Sequence, residues 1–437
     1  MVCGPLPGLS ERAAVFHYAA DRHMLEERCA FGPDAWSAAC EDRVVLLVAL
    51  TSIHWRESWK YGERAFRYCQ HDLGHAIAAV TLAAAMLGWR ARLLPSWPHR
   101  AIGALVGIDR DDDFADAERE EPGSLLALTA TDVPPPIANG PGDLLRVVRG
   151  GVWSGQASQL SENHVQWTFI DEIAGATEDI GRPWPALPAV PALSAVPALP
   201  ALPGLVLPAH SALGHRQFRE LALQRRSAVA FDAVSTINAE VFFAMLARVM
   251  PSAHAPWDAI WWTPRIHLLL FVHRVNGVDP GLYLLGREPG GFDRLQRAIR
   301  HHSLREPAHD SLPIVCLAHG DCRSMARRLS CDQDIAADGF FSLGMIAEFD
   351  GSLSDYGPSF YRHLFWESGV VGQVLYLDAE AAGVRATGIG CFYDDPVHDV
   401  LGLEDHAFQS LYHFTVGAPV EDLRLTTEPG YEWESGA

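Results

Sequence analysis

Three groups of residues have types and spacings that could do chemistry. His71 and His75 stand four apart in "YCQHDLGHAIAAV", residues 68–80, with Asp72 between them. That is one helical turn, the spacing at which two imidazoles hold zinc while a neighbouring carboxylate serves as base. Cys316, His319 and Cys322, followed by Cys331, form a second zinc-like series. Arg225, Arg226 and Ser227 lie in "ELALQRRSAVAFD", residues 220–232, and bring two guanidiniums and a hydroxyl to the end of a helix. Such a set suits bidentate recognition of a phosphate.

The elements that would carry these groups sort them. No Glu or His downstream of His75 stands at a spacing that supplies a third ligand. "PIVCLAHGD" reads as a buried strand entering a turn, where alternate residues point to opposite faces, so the Cys/His series would be split. No metal is expected. A Gly-x-Ser-x-Gly elbow is missing, and "GREPGG" and "TGIG" lack the flanking strand and helix of a dinucleotide or phosphate loop. "TGIG", residues 387–390, does follow a long helix directly, where glycine backbone can approach a planar ligand closely. The Arg-Arg-Ser group is the strongest signal, against the plainer reading of a charged helix end.

The chain also repeats itself. Shifted by 295 residues without a gap, "YGERAFRYCQHDLGHAIAAVTLAAAMLGWRA" from Tyr61 falls on "YGPSFYRHLFWESGVVGQVLYLDAEAAGVRA" from Tyr356. The pairs Tyr61/Tyr356, Gly62/Gly357, Arg67/Arg362, Gly74/Gly369, Leu82/Leu377, Ala84/Ala379, Gly88/Gly383, Arg90/Arg385, Ala91/Ala386 and Gly107/Gly402 are identical. A register this long implies an internal duplication. Each copy reads as an apolar strand (VVLLVALTSI; SLGMIAEF), a loop ending in Tyr-Gly, then a long helix stopped by Gly88 or Gly383. The second part adds a hairpin, "RIHLLLFVHRVNGVDPGLYLL". In the second copy Trp366 and Val370 replace the two histidines, a further argument against metal.

At 437 residues and 49% apolar, the chain is long enough for two domains with a large core. Its 34 Lys+Arg against 54 Asp+Glu disfavour nucleic acid or an anionic membrane, and a small or neutral substrate fits better. Eight cysteines are too few for a disulfide scaffold, and the sequence opens on no secretory signal, so a cytoplasmic location is expected. The apolar helical run from Ala76 to Trp89 is shorter than the ~20 residues needed to span a bilayer. The expected organisation is a first repeat over 1–181 that begins part-way into the pattern, a Pro/Ala-rich linker over 182–210, and a second repeat over 211–437. The acidic run from Asp109 reads as a solvated loop.

"LQRRSAVAFD", a glycine-broken helix, "TGIGCF" and the C-terminal "LYHFTVGAPVEDLRL" together resemble the FMN-dependent nitroreductase superfamily. The closer likeness is to its branch of azoline dehydrogenases, which form thiazole and oxazole rings in peptides; "KYGERAFRYCQHDLGH" matches that branch's Lys-Tyr-Gly run leading into a Gly-His helix. The resemblance implies an α+β sandwich, duplicated here as an intrachain pseudo-dimer, with FMN in the cleft between the halves. It implies that Arg225, Arg226 and Ser227 hold the phosphate, that Gly388, Ile389 and Gly390 pass the ring, that Gln373 serves as the branch's helix glutamine, and that Arg424 returns to the phosphate. It assigns Lys60 and Tyr61 to proton removal, with burial in the cleft lowering the lysine pKa, and lets His75 line the cleft.

Departures from the pattern are Val229, where many members carry a second basic residue, and the lack of an Arg-Arg-Ser helix in the first half. The expectation is one FMN per chain, with NAD(P)H as a further candidate electron donor, and hydride transfer to or from a small-molecule or peptide-derived substrate. The protein would be a monomer with an intrachain pseudo-dimer, or a homodimer. The alternative is a flavin-free duplicated fold acting as a binding or scaffold protein.

Overall fold

Alternating apolar residues build two seven-stranded sheets of matching order. The computed structural model describes residues 1–41, 43–131, 134–183, 212–422, 424, 426 and 431; of the expected linker, only its first two residues are among them. The first half runs β1 (Val2–Cys3), β2 (Ala13–Ala19), β3 (Met24–Phe31), α1 (Pro33–Cys40), β4 (Val44–Ser52), α2 (Trp55–Tyr61), α3 (Ala65–Met86), β5 (Arg90–Leu93), α4 (His99–Val106), β6 (Glu121–Thr129), α5 (Gly142–Arg149), β7 (Val152–Trp153) and α6 (Thr168–Ala176). The second opens with α7 (Ala212–Gln224), β8 (Ile237–Asn238), α8 (Ala239–Arg248), β9 (Ile266–Val272), β10 (Val275–Asn276), β11 (Gly281–Leu285), α9 (Pro289–Ala298), β12 (Glu306–Pro307) and β13 (Ile314–His319). It continues with α10 (Arg323–Leu329), α11 (Ile335–Asp338), β14 (Phe341–Glu348), α12 (Asp350–Tyr356), α13 (Phe360–Ala381), β15 (Arg385–Ile389), α14 (Asp394–Leu401) and β16 (Phe408–Gly417).

The sheet orders are β5-β6-β4-β1-β2-β3-β7 and β15-β16-β14-β9-β11-β13-β12, the same plan twice. The repeat keeps its spacing in space as well as in sequence. α3 and α13 begin at 65 and 360, β5 and β15 at 90 and 385, α4 and α14 at 99 and 394, each pair 295 apart. Gly88 and Gly383 take φ of +75° and +73°, and Gly107 and Gly402 take +78° and +70°, so each pair ends its helix in the left-handed region where a Cβ is costly. The segments expected as loops before Tyr-Gly are instead the short helices α2 and α12, which Gly62 and Gly357 terminate at φ +58° and +82°.

Pleating assigns each strand face to a different core. In β9, Ile266, Leu268, Leu270 and Val272 face a core shared by both halves, while Leu269 and Phe271 face one belonging to the second half. In β6, Leu126 and Leu128 join the shared core and Leu125 and Ala127 a core of the first half. β9 and β14 are buried along their whole length, which explains their continuous apolar runs.

The halves meet along α3 and α13. A Cβ on Gly74 would lie 2.2 Å from the Trp366 carbonyl oxygen, and one on Gly369 would lie 2.2 Å from that of His71. Two glycines related by the repeat thus let the helix backbones touch. The crossing carries no Leu-rich seam; Trp366 Nε1 donates to Gln70 Oε1 at 2.8 Å across it.

The acidic run is less solvated than expected. Asp113 pairs with Arg28 and Arg110, and buried Glu118 accepts from Leu160 N, Ser161 N and Arg56. "PIVCLAHGD" forms β13, and the predicted hairpin forms as β9 and β11. Among the described residues, no helix is long and apolar enough to cross a membrane.

Candidate functional site

The zinc-like histidines are committed elsewhere. His71 Nε2 donates to the Leu411 carbonyl at 3.1 Å and its ring stacks on Tyr412, centroids 4.1 Å apart. His75 Nδ1 donates to Gln373 Oε1 at 3.1 Å, and its Nε2 accepts from the Tyr412 hydroxyl at 3.3 Å, the tautomer following from the amide oxygen being an acceptor. Burial pulls the His75 pKa down to about 4 against the opposing effect of Gln373, and the nearby positive Arg225 lowers it too. The ring is therefore neutral at pH 7. His75 belongs to the first half, Gln373 and Tyr412 to the second, so this contact is built only where the halves meet. In the Cys/His series, Cys316 Sγ lies 3.8 Å from His319 Nε2, whereas buried Cys322 turns away to the Gly281 and Val272 carbonyls. The described residues contain no group of three metal-binding side chains.

The Arg-Arg-Ser segment leaves α7 and runs beside β15. Ser227 bridges Ala386 in parallel, Ala228 N donates to the Ala386 carbonyl, and Thr387 Oγ1 donates back to the Ala228 carbonyl at 2.7 Å. Ser227 and Gly388 thereby reach one side chain: Ser227 Oγ lies 3.0 Å from the Tyr376 hydroxyl oxygen, to which Gly388 N donates at 2.9 Å. The Arg225 guanidinium lies over the same tyrosine, 4.8 Å from the ring centroid. Tyr376 is one turn past Gln373 on α13, so both share a face. Arg225, Gln373, Tyr376, Gly388, Gly390 and His75 are all partly exposed, and Ser227 is exposed. A half-buried guanidinium and an accessible hydroxyl beside a glycine amide are the donor chemistry of a phosphate-ester site.

Three expected members stand apart. Arg226 Nη1 turns back to the Leu223 and Arg225 carbonyls at 2.8 and 2.9 Å, closing the helix end. Arg424 pairs with its neighbour Asp422 and is 89% exposed, so none of its contacts reaches Ser227. Ile389 is buried and faces away from the accessible side.

Aromatic rings occupy the space against the glycines. A Cβ at Gly388 would fall 2.0 Å from the Tyr412 hydroxyl oxygen, and one at Gly390 2.0 Å from Tyr68 Cε1. Tyr68 stacks on Tyr61 with centroids 4.4 Å apart, and Lys60 Nζ lies 5.1 Å from the Tyr61 centroid. The expected Lys60-Tyr61 pair is thus joined to Gly390 through one intervening ring. The burial expected of Lys60 is not there, because the end of α2 leaves it exposed. Tyr68, Tyr376 and Tyr412 escaped the sequence reading; the signal available was Tyr376 three residues after Gln373, on the same helical face.

The fold and the site define a class: an α+β sandwich in two copies, with an accessible donor cluster where the helices of the copies cross. Residues 222–418 match the nitroreductase family model, so the second half carries a nitroreductase family domain, and the first half repeats its plan. The structure of a protein from Anabaena variabilis assigned as a nitroreductase is 19% identical with a TM-score of 0.65, covering 96% of this chain and 80% of that one. One chain of that protein therefore matches both halves. The NADPH:FMN oxidoreductase of Vibrio harveyi is 14% identical over 48% of this chain and 72% of that one, with a TM-score of 0.30. The E. coli microcin synthetase McbBCD complex is 17% identical over 55% and 85%, with a TM-score of 0.35. No curated protein matches the chain.

Proposed function

We propose that the chain is an FMN-dependent oxidoreductase with one flavin per intrachain pseudo-dimer, its repeats spanning 1–181 and 211–437 around a linker at 182–210, and that it works in the cytoplasm. The observation that carries this reading is the convergence of Arg225, Ser227 and the Gly388 amide on Tyr376, next to the His75-Gln373 contact between the halves. Arg225 and Ser227 would hold the phosphate, and Gly388 and Gly390 would flank the ring. A flavin bound there supplies hydride transfer, to or from an organic substrate. Neutral His75 keeps Gln373 and the Tyr412 hydroxyl oriented. Tyr61, stacked on Tyr68, presents a phenol and Lys60 an ammonium on the solvent side, where they can pass a proton to or from a substrate. The substrate is an azoline in a peptide-derived chain or a nitro or quinone compound, with NAD(P)H the donor in the second case.

The test is the visible absorbance of protein refolded with FMN and freed of excess cofactor. A coloured protein that Arg225→Ala renders colourless supports the reading, and a colourless wild type sinks it. A flavin-free scaffold is the second reading. It is favoured by the Tyr376 hydroxyl, which already engages both Ser227 Oγ and the Gly388 amide, and by exposed Val229 in the place of a second basic residue.

A further inference from the structure

Six of the eight cysteines are buried; Cys331 and Cys391 are not. Those two meet. Their Sγ atoms lie 2.8 Å apart across 60 residues of chain, within about 0.8 Å of a disulfide bond length. Arg64 Nη1, from the first half, donates to Cys391 Sγ at 3.1 Å. Packing holds both thiols in place: Gln333 Nε2 donates to the Ser330 and Cys391 carbonyls at 2.8 and 3.1 Å, tying the two segments together. Cys331 takes φ +55°, an uncommon conformation for a residue with a Cβ, which turns the chain after α10 toward Cys391. Gly390 and Phe392, the neighbours of Cys391 in the chain, line a narrow crevice with Arg64 and Tyr68.

A guanidinium beside a sulfur favours the thiolate, which is the nucleophile in exchange reactions. Arg64 donates to Cys391 Sγ, and its charge also acts on Cys331 against the effect of burial. Burial pushes the Cys331 thiol up to about 11, so little of it is thiolate at pH 7.

We propose that Cys331 and Cys391 form a reactive dithiol that closes to an intrachain disulfide by exchange with a low-molecular-weight disulfide such as oxidised glutathione. The Cys391 thiolate attacks one sulfur of the small disulfide, breaking its S–S bond, forming a mixed disulfide and releasing one small thiolate, which takes up a proton. Cys331 then loses its proton to solvent and attacks Cys391 Sγ, forming the protein disulfide and releasing the second small thiolate. Two protein thiols are oxidised, and one small disulfide is reduced to two thiols. Closure removes the sulfur acceptor that ties Arg64 of the first half to Cys391 of the second, at the edge next to Gly390 and Tyr68. The dithiol stands whether or not the chain holds a flavin.

The test uses the native, fully reduced chain incubated with oxidised glutathione, quenched in acid, alkylated and mapped by peptide mass spectrometry. Expected is a single linked peptide pair, Cys331 with Cys391, while the other six thiols are alkylated only after unfolding. Cys331→Ser should stop at the first step and accumulate glutathione on Cys391. Arg64→Gln should slow closure by roughly tenfold at pH 7 through loss of the neighbouring cation. The proposal is overturned if the link forms only in unfolded protein, if glutathione leaves both cysteines reduced, or if Cys331→Ser carries no adduct on Cys391. An unchanged rate in Arg64→Gln would remove Arg64 from it.

Discussion

Gly74→Ala separates the helix crossing from every alternative by the sign of its effect. In an isolated or loosely packed helix, replacing an interior glycine by alanine stabilises by roughly 0.5–1 kcal/mol, because the unfolded chain loses freedom. At the observed crossing the new Cβ would sit 2.2 Å from the Trp366 carbonyl oxygen and 2.8 Å from Gly369 Cα. Both are backbone atoms that no rotamer change can move, and the shorter distance is more than about 1 Å inside ordinary contact. The helices must part, and overpacking of this kind costs about 1–3 kcal/mol. Parting also loosens the His71-Leu411 and His75-Gln373 bonds, which span the same seam. The net expectation is a loss of about 1–2 kcal/mol after the propensity gain. Gly175 in α6 is the control, since a Cβ there meets nothing within 4 Å and its φ is ordinary; Gly175→Ala should stabilise. Urea unfolding of both variants decides the matter. A Gly74→Ala protein as stable as Gly175→Ala would refute the close crossing and, with it, a site built between the halves.

Glu367, the repeat's counterpart of Asp72, is buried and pairs with fully buried Arg287 while accepting from Trp262 Nε1 and from the Arg265 and Ile266 amides. Glu367→Ala should cost about 3–5 kcal/mol in chemical unfolding, and a loss below about 1 kcal/mol would mean that the ion pair is not formed. Burial lowers His54, His71, His75, His99, His273, His363 and His413 to about 3 or 4. The unfolded chain takes up a proton at each near pH 6.5 and the folded chain does not, so stability present above that pH is lost as pH falls toward 4. Asp378, pushed up to about 7 by burial against the opposing effect of Arg248, and Asp72, pushed up to about 6 by desolvation, work the other way, their stabilising protons leaving as pH rises toward 7. Seven histidines outweigh these two carboxyls at ~1.4 kcal/mol per proton and pH unit, so the melting temperature should drop steeply from pH 6.5 to pH 5; a flat profile there would contradict the burial. Tyr376→Phe removes the hydroxyl shared by Ser227 and Gly388. It should tighten FMN binding several-fold if that hydroxyl competes for the donors, and an unchanged Kd by fluorescence titration would show that it does not.

The duplication was legible because its signal is backbone geometry. Gly88/Gly383 and Gly107/Gly402 must take left-handed φ to end their helices, and Gly74/Gly369 must lack a Cβ for the helices to touch, so drift that erased most side chains spared these pairs. The strand runs were legible for the same kind of reason: β14 is buried on both faces and is apolar or small from Phe341 to Ala347, with the paired carboxylate of Glu348 only at its end. Side-chain convergence left no such trace. Tyr376, Ser227 and Gly388 meet only once α13, the segment after α7 and β15 are packed, and no periodicity in one segment encodes a contact with another. Arg424 shows the converse, since its place in the family's sequence pattern goes with a pairing to adjacent Asp422 rather than to the cluster.

The asymmetry between the halves explains why one edge of the two-fold holds a donor cluster and the other does not. On the α3 edge the helix turns His71 and His75 toward Tyr412, whose hydroxyl lies where a Cβ on Gly388 would fall, as Tyr68 does at Gly390. On the α13 edge the counterparts of His71, Asp72 and His75 are Trp366, Glu367 and Val370, and β5 is covered by the Trp257–Trp262 segment, with Asp258 paired to Arg90 at 3.1 Å. Glu367 spends its carboxylate on Arg287 and two backbone amides, whereas Asp72 stays exposed. One copy of the crossing is therefore packed as core, while the other keeps polar, partly exposed side chains. The cost predicted for Glu367→Ala should appear as loosening of both edges, read as faster hydrogen exchange in α3 as well as α13.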